Sequence, residues 1–285
     1  MVKRKPRTLF IKKNIQKKRY QYREKLRPIK FKKKYFEFNY IDIEISDLEE
    51  GFENYKIINL SDLHLGQWLN ANLLKGVINM VNQEKPDLLV LTGDYVSYLI
   101  DEFEKPLEDC LKEISPDITT LAVLGNHDHW MGAQTIKKVL KNANIKDISN
   151  DVVTITKNTE NKESVLHIAG IDSYMLKKDR LDIVMEKLPE EGPAILLAHE
   201  PDFAKISSKT NRFILQISGH SHGGQVLIPG IGPILRGSKS YNYPIGLYEV
   251  GNMIQYTNKG LGTNFFWTRI NCKPEITVFT LKKKN

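Results

Sequence analysis

Five short motifs along the chain carry side chains that can bind metal ions. In chain order they are Asp62-Leu63-His64, Gly93-Asp94, Gly125-Asn126-His127-Asp128, His199 and Gly219-His220-Ser221-His222. The chain has seven histidines, and five of them lie in these motifs. Histidines that serve as ordinary polar residues would be scattered along the chain, so this clustering indicates a metal site.

The chemistry of these side chains favours a site with two transition metals. Carboxylate, amide and imidazole groups without a thiolate suit Mn, Fe, Zn, Co or Ni better than a structural zinc bound by cysteines. On an extended chain the pairs Asp62/His64 and His220/His222 point to one side, so one metal can bind both members of a pair. Asp94 has two oxygens and can bridge two metals. Two metals roughly 3.5–4 Å apart clamp the attacking and leaving oxygens during displacement at phosphorus.

The ordered motifs resemble those of the calcineurin-like metallophosphoesterases, whose pattern is D-x-H, G-D, G-N-H-D/E, H and G-H-x-H. The resemblance extends over roughly residues 35 to 281. It implies a metal-bridging hydroxide as the nucleophile and two sets of metal ligands. The first set is Asp62, His64, Asp94 and His222, and the second is Asp94, Asn126, His199 and His220.

The same resemblance implies catalytic roles for His127 and Asp128. His127 is expected to contact the phosphoryl group without binding metal and to protonate the leaving oxygen. Asp128 is expected to orient His127, as carboxylates do for histidines at metal sites. The implied enzyme is a metal-dependent phosphoric ester hydrolase that cleaves a phosphodiester, a phosphomonoester or a pyrophosphate. It would use two divalent metal ions, and we expect these ions to be Mn.

The C-terminal third narrows the resemblance to a bacterial and archaeal subgroup of membrane-associated phosphoesterases. The similar segments are residues 222–226, 231–233, 244–248, 258–263 and 273–276. This subgroup includes a UDP-2,3-diacylglucosamine pyrophosphatase, which implies a membrane-associated or cell-envelope substrate and, as an alternative, a lipid enzyme of that type. Residues 264–269 depart from the subgroup with three aromatic side chains, which fit core packing, a substrate wall or a membrane-facing patch. A non-catalytic module that binds membrane or nucleic acid is the other alternative.

Short apolar runs precede the motifs and predict the strands that position them. They are Lys56–Leu60, Asp87–Leu91, Leu121–Leu124, Ala194–Ala198 and Phe213–Ile217. Each run brings a polar group to the end of a central strand, where open α/β sheets bind their ligands. Other patterns predict two strands within 35–62, hairpins at 152–171 and 245–257, a closing strand at 276–281, and a loop at 223–244. Helices are expected near 70–81, 107–114, 135–141 and 181–188.

The resemblance implies the fold class: a mixed α/β protein with the four-layer metallophosphoesterase fold, in which two packed mixed β-sheets are flanked by helices. Charge divides this chain into two predicted parts, a basic arm at 1–34 and one phosphoesterase domain at 35–285. The arm holds 16 Lys or Arg and one Glu, whereas the rest holds 26 basic and 33 acidic residues. An arm with net charge +15 on a domain of net charge −7 is a separate functional element.

The arm has the pattern of a basic amphipathic helix. Ile11, Ile15, Tyr22 and Leu26 fall on one side of a helix that ends before Pro28. Such a helix can lie on an anionic membrane, although Lys18 interrupts its apolar side. Binding to nucleic-acid phosphates is the less favoured alternative, and a solvated tail without a partner is another.

The sequence also indicates where in the cell the protein is expected. No apolar stretch approaches the roughly 18–20 residues of a membrane-spanning helix, and no signal-peptide pattern is visible. Cys110 and Cys272 lie in dissimilar contexts and suggest no disulfide framework. We therefore expect a cytoplasmic protein that is peripheral on the inner face of the membrane if the arm binds there. The sequence leaves the oligomeric state and the natural substrate open.

Overall fold

The computed structural model describes residues 14–15, 17–19, 21–22, 29–97, 100–159, 163–264 and 266–284. The first nine strands are Glu37–Ile45 (β1), Lys56–Leu60 (β2), Leu88–Leu91 (β3), Thr119–Ala122 (β4), Lys146–Asp147 (β5), Asp151–Asn158 (β6), Glu163–Ile171 (β7), Ala194–Ala198 (β8) and Leu215–Ser218 (β9). They are followed by Leu227–Ile228 (β10), Gly232–Pro233 (β11), Gly246–Val250 (β12), Met253–Thr257 (β13) and Glu275–Lys283 (β14). The helices are Ala71–Glu84 (α1), Ile100–Leu111 (α2), Asn126–Met131 (α3), Ala133–Asn142 (α4), Leu181–Lys187 (α5) and Ala204–Ser207 (α6).

Two mixed six-stranded sheets form the centre of the fold. The first has the order β1-β14-β2-β3-β4-β5, and the second has the order β12-β13-β9-β8-β7-β6. Strands β2, β3 and β4 are parallel to one another, and so are β7, β8 and β9. The predicted hairpins are confirmed, because β6 pairs with β7 and β12 pairs with β13 in antiparallel register.

Alternate side chains of each central strand enter different cores, which accounts for the uninterrupted apolar runs. Ile57 and Val90 belong to the core between the two sheets, together with Ile195 and Ile217 of the second sheet. Their neighbours Ile58, Leu89 and Leu91 face the other way and pack with the side chains of α1, α2 and α4. A third core lies between the second sheet and α5 and α6. The order helices, sheet, sheet, helices confirms the predicted four-layer α/β fold.

Helix α1 begins where the sequence predicts. The Asn70 side chain accepts a hydrogen bond of 2.9 Å from the amide of Leu73, which satisfies one of the unpaired amides at a helix start. Leu73, Val77 and Val81 are buried on one side of the helix. The helix thus covers the first sheet and continues directly from the motif that ends β2.

Two predicted connections differ from the structure. The last strand, β14, does not close an edge but lies between β1 and β2, parallel to the first and antiparallel to the second. The stretch at 223–244 is not entirely loop, because β10 and β11 pair as a short antiparallel hairpin. Register between distant strands is set by tertiary pairing, which local patterns do not reveal.

The arm is described only in part. Ile15 and Tyr22 are helical and exposed, whereas Ile11 and Leu26 lie outside the described residues. Ile29 and Phe31 pack against the first helical core, and the carbonyl of Ile29 accepts a hydrogen bond from the side chain of Asn70. Within the described part of the chain, no helix has both the length and the apolar character needed to cross a membrane.

Candidate metal centre

The predicted ligands meet at the carboxyl ends of the parallel strands in both sheets. Asp62 follows β2, Asp94 follows β3, and Asn126 begins α3 directly after β4. His199 and His220 follow β8 and β9 of the second sheet. Carboxyl ends of parallel strands are where α/β sheets place their sites, and two such edges face each other across the inter-sheet core. All five side chains are largely or fully buried.

The backbone at these ligands differs from the extended conformation that the spacing argument assumed. Asp62 and His64 have φ of 50° and 43°, and His220 and His222 have φ of 68° and 53°. Asp94 shares this left-handed conformation with φ of 58°. Left-handed backbone is uncommon for residues other than glycine and clusters at functional sites. Successive tight turns, and not strand alternation, direct these side chains to one point.

One group of three ligands is formed by Asp62, His64 and His222. The Nε2 atoms of His64 and His222 are 3.0 Å apart. Asp62 Oδ1 is 3.3 Å from His222 Nε2 and 3.9 Å from His64 Nε2. These ligand atoms lie within 4.8 Å of one another and are buried, as expected for residues that share one cation.

A second group lies on the other side of Asp94. Asp94 Oδ2 is 3.2 Å from His199 Nε2 and 3.5 Å from His64 Nε2, so this carboxylate faces both groups. His220 completes the second group, with Nδ1 at 3.2 Å from His199 Nε2. The structure therefore brings the predicted bridging residue between the two sets of histidines.

Two buried oxygen atoms fit the same interpretation. Among the described residues, Asp62 Oδ1 and Asn126 Oδ1 have no hydrogen-bond partner. A buried carboxylate or amide oxygen without a partner is costly, since it has lost its hydration without compensation. Both residues are predicted ligands, and oxygen and imidazole donors suit a divalent transition metal. The residues present thus fit a pair of divalent ions.

Hydrogen bonds hold three of the imidazole rings in orientation. His199 Nδ1 faces the carbonyl of Thr92 at 2.6 Å, and His220 Nε2 faces the carbonyl of Ser238 at 2.8 Å. Because a carbonyl can only accept, these nitrogens carry the protons and the other nitrogens face the centre. His64 Nδ1 is held by the Ser97 hydroxyl at 2.5 Å. Ligand histidines are commonly fixed through their second nitrogen in this way.

The charge states of the buried groups also favour cation binding. Burial lowers the pKa of His64 and of His222 well below the usual value, which leaves neutral imidazoles, the form that binds metal. Burial also opposes charge on His199, but the Asp94 carboxylate outweighs it and raises the pKa of that histidine. A proton on His199 would therefore compete with a metal ion for the position beside Asp94.

His127 and Asp128 both lie beside the predicted ligands, and the orientation of His127 by Asp128 stays a prediction. The His127 ring nitrogen belongs to a group with His64 and Asp94, and its Nδ1 faces the carbonyl of Ser97 at 3.1 Å. Asp128 forms hydrogen bonds with the backbone. Its oxygens accept from the backbone amides of Asp94, Tyr95 and Gly125 at 2.8 to 2.9 Å. Asp128 therefore fixes the turns that carry the ligands, because its short side chain reaches the nearest amides first.

Close backbone approaches hold Asp62 in place. Its Oδ2 accepts from the hydroxyl of Ser61 at 2.6 Å and from the amide of His220 at 2.8 Å. The amide of Gly262 donates to the carbonyl of Asp62 at 2.7 Å. A Cβ at Gly219 would lie 1.8 Å from Ser61 Oγ and 2.3 Å from Asp62 Oδ2, so only glycine fits there.

Arg269 and Gln225 support the metal-ligand loops and were not predicted as site residues. The Arg269 guanidinium donates to the carbonyls of Lys259 and Gly260 at 2.8 and 3.0 Å, and lies 3.4 Å from the carbonyl of His222. The Gln225 amide group donates to the carbonyls of Phe266 and Thr268 at 2.8 and 2.9 Å. Both side chains bind backbone carbonyls of segments distant in sequence, which no local motif indicates.

Comparison with known proteins agrees with this geometry. The family model described as calcineurin-like phosphoesterase matches residues 55–224. That range begins just before β2 and ends just after His222, so it contains every predicted ligand and both predicted catalytic residues.

Similar proteins occur in bacteria and in animals. The chain is 35% identical over 248 residues to an uncharacterized metallophosphoesterase of Bacillus subtilis, YkuE, which covers 85% of this chain and 84% of that protein. It is 28% identical over 247 residues to the phosphodiesterase YaeI of Escherichia coli, covering 86% and 88%. It is 29% identical over 253 residues to a transmembrane protein with metallophosphoesterase domain of Danio rerio, covering 85% of this chain and 56% of that protein.

Proposed function

Because the chain belongs to the calcineurin-like phosphoesterase family, we propose that its metal centre binds two divalent ions and hydrolyses a phosphodiester. The family and its relatives make the chain a metal-dependent phosphoester hydrolase. The observation that carries the finer proposal is the position of Asp94. Its carboxylate lies between two histidine groups, at 3.5 Å from His64 and 3.2 Å from His199.

The ligands divide into two sets that share Asp94. Asp62, His64 and His222 would hold one ion, and Asn126, His199 and His220 would hold the other. When bound, two such ions lower the pKa of water and stabilise negative charge on the phosphoryl oxygens. Mn is the proposed ion, in keeping with oxygen and nitrogen ligands without sulfur.

His127 supplies the proton for the leaving oxygen in this proposal. A carbonyl can only accept, so the Ser97 carbonyl at 3.1 Å holds the proton on His127 Nδ1 and leaves Nε2 to exchange a proton with the substrate. Burial lowers the pKa of His127, so the ring donates from Nε2 only in its less populated protonated form, which gives up the proton readily. The Trp130 ring packs edge-on against the imidazole, with 4.7 Å between the two ring centroids, and restricts the motion of the imidazole.

A diester is the proposed substrate class because the Escherichia coli relative is named a phosphodiesterase. The resemblance to membrane-associated phosphoesterases supports a substrate at a membrane or in the cell envelope. A UDP-2,3-diacylglucosamine pyrophosphatase-like activity is the alternative that the same resemblance supports. Diester hydrolysis and pyrophosphate hydrolysis are the same type of reaction, because each proceeds by attack of a nucleophile on phosphorus.

Hydrolysis by the purified full chain tests the proposal. With added Mn, bis-p-nitrophenyl phosphate should be cleaved, and excess chelator should abolish the activity until Mn is restored. A panel of glycerophosphodiesters, nucleotides, phosphomonoesters and UDP-sugar lipids then ranks the substrate classes. Cleavage of monoesters alone would refute the diester assignment. If Mn-loaded protein cleaved no ester at all, the proposal that the metal centre is catalytic would be refuted.

The basic arm is proposed to bind an anionic membrane surface. Ile29 and Phe31 pack on the domain, so the part proposed to bind is residues 1–28, which hold 12 Lys or Arg and one Glu, with Lys17 paired to Glu102 of α2. Each such charge near an anionic membrane contributes about 1 kcal/mol. Nucleic-acid phosphates remain the less favoured partner. Direct binding measurements with anionic vesicles and with RNA distinguish the two partners.

A further inference from the structure

Exposed apolar side chains are concentrated beside the metal centre. Of the twelve large apolar side chains that the described residues expose, half belong to residues 226–235 and 266–270, which we call the hairpin surface. They are Ile228, Ile231, Ile234, Leu235, Phe266 and Ile270. Ile231, at the tip of the β10–β11 hairpin, is 72% exposed, and Phe266 is 66% exposed. A concentration of this kind marks an interaction site, because single exposed apolar residues are otherwise scattered.

The hairpin surface is fixed to the loop that carries His222. Gln225, three residues later, binds the carbonyls of Phe266 and Thr268, and its carbonyl accepts from the amide of Ile270 at 2.8 Å. The amide of Leu227 donates to the carbonyl of Ile270 at 3.0 Å. Both parts of the surface are therefore held together, and whatever binds them lies next to the metal ligands.

The two chain segments and the end of the arm reach the same edge of the first sheet as the metal centre. Glu275 at the start of β14 pairs with Glu37 at the start of β1, and Thr277 pairs with Asn59 near the end of β2. Residues 266–274 and 29–36 therefore lie at the edge where β2 delivers Asp62. The described end of the arm, residues 29–34, therefore lies on the side of the hairpin surface and of the site.

The charge of this region fits an anionic partner. Residues 226–236 and 266–274, which contain the hairpin surface, hold three Lys or Arg and no acidic residue. Arg236 and Lys273 are exposed at the ends of the two segments. Lys34 and Lys273 line a cavity of about 360 Å³ between Trp68 and Trp267, which joins the hairpin surface to the arm. Apolar side chains bordered by cations are the pattern of an interfacial membrane contact, and the nearby carboxylate of Glu37 is paired with Lys259.

We propose that the hairpin surface docks on an anionic phospholipid bilayer, with Ile231 and Leu235 entering the acyl boundary. The metal centre then faces the lipid surface and takes phosphoesters carried by amphiphiles at the interface. This inference rests on the proposed function, because it takes the neighbouring site to be a phosphoesterase centre. The docking itself does not require catalysis. The arm adds a second, salt-sensitive attraction on the same side.

A fluorescent probe on the hairpin tests the docking directly. The full chain with Ile231→Cys is labelled with an environment-sensitive nitrobenzoxadiazole group, and both native cysteines are buried and therefore protected from labelling. Mixed with vesicles of phosphatidylglycerol and phosphatidylcholine, the probe should shift to shorter wavelength and be quenched by doxyl groups on the lipid chains. The matched control is the same label on Tyr40→Cys, which is 60% exposed and bonded to Glu84 at the far end of α1. Its emission should not change.

A charge substitution gives an independent measurement. Ile231→Glu with Leu235→Glu should weaken vesicle partitioning of the full chain at least about tenfold at 0.5 M salt, where attraction through the arm is screened. Tyr40→Glu should leave partitioning unchanged. Thermal unfolding of each variant confirms that it is folded, since these side chains are exposed.

Two results would overturn the proposal. The chain could float with vesicles while the probe on residue 231 stays in water, which would leave the arm as the sole membrane contact. Alternatively, the full chain could ignore vesicles and form a dimer that Ile231→Glu with Leu235→Glu dissociates, which would make the surface a contact between copies of this chain. Insertion without hydrolysis of any ester would refute the proposed function and leave the docking intact.

Discussion

The Nε2 atoms of His64 and His222 lie 3.0 Å apart in a buried site. Burial lowers the pKa of both histidines, so neither is charged. Two neutral imidazole nitrogens at this distance either share one proton or direct their lone pairs to one cation. The Asp62 oxygen at 3.3 Å from His222 has no hydrogen-bond partner in the described part of the chain, which favours the cation.

The hydroxyl of Ser97 should contribute to metal affinity without touching the metal. It holds Nδ1 of His64, and Ser97→Ala removes that contact while leaving all ligands in the chain. Loss of such a supporting bond typically weakens metal binding about 10–100-fold. Competition with a fluorescent chelator would measure the dissociation constant for Mn.

A buried serine remote from the ligands provides the control for Ser97. Ser207 is fully buried and its hydroxyl donates to Gln216 at 2.6 Å. Ser207→Ala should lower thermal stability by a comparable amount and leave the dissociation constant for Mn unchanged. An equal loss of metal affinity in both variants would assign the effect to general destabilisation and not to the orientation of His64.

An experiment can distinguish whether His127 is a metal ligand or a general acid. As an acid, His127→Ala should lose roughly 10²–10⁴-fold in kcat on an alkyl diester and much less on p-nitrophenyl esters, whose leaving group scarcely needs a proton. Metal content should stay at the wild-type value. Loss of a metal ion from His127→Ala would instead make this histidine a ligand, as its nearness to His64 and Asp94 permits.

Gly219→Ala should disturb Asp62 and leave the fold intact. The new methyl group would lie 2.3 Å from Asp62 Oδ2, so the carboxylate must move away from the position in which His220 holds it. We expect weaker Mn binding and at least about tenfold lower kcat/KM. Gly237→Ala is the control, because its nearest neighbour is the rotatable hydroxyl of Ser240 at 3.2 Å. Normal activity in Gly219→Ala would show that Asp62 tolerates displacement.

Deletion of residues 1–28 should remove the salt-dependent part of binding to anionic vesicles. Turnover of a small soluble phosphodiester should be nearly unchanged, because the first predicted ligand in the chain is Asp62. Binding of the full chain should weaken as salt rises, since screening shortens the reach of surface charge. Binding of the arm to RNA, with no response to vesicles, would exchange the membrane proposal for a nucleic-acid one.

Much of this site could be predicted because its ligands lie in short motifs after apolar runs. The strand ends at Leu60, Leu91 and Ala198 are local features, and they place Asp62, Asp94 and His199 at the carboxyl ends of central strands in the two sheets. The insertion of β14 between β1 and β2 could not be predicted, because pairing between residues more than two hundred positions apart leaves no local pattern.

The supporting residues were less accessible to sequence reasoning. Ser97 and Arg269 act through groups that only the folded chain brings near, such as the His64 ring and the carbonyls at 259–262. The left-handed backbone of His64 and His222 was also missed, since the spacing of Asp-x-His is equally compatible with an extended strand. For Asp128 the motif gave the residue but not its partners, which are backbone amides.

The central claim is that two metal ions share Asp94, and metal stoichiometry tests it most directly. Protein reconstituted with Mn and freed of excess ion should contain two Mn per chain by elemental analysis. Asp94→Ala should retain at most one, whereas His222→Ala and His199→Ala should each lose the ion on their own side first. A wild-type chain that binds a single Mn, lost equally in all three variants, would contradict the account.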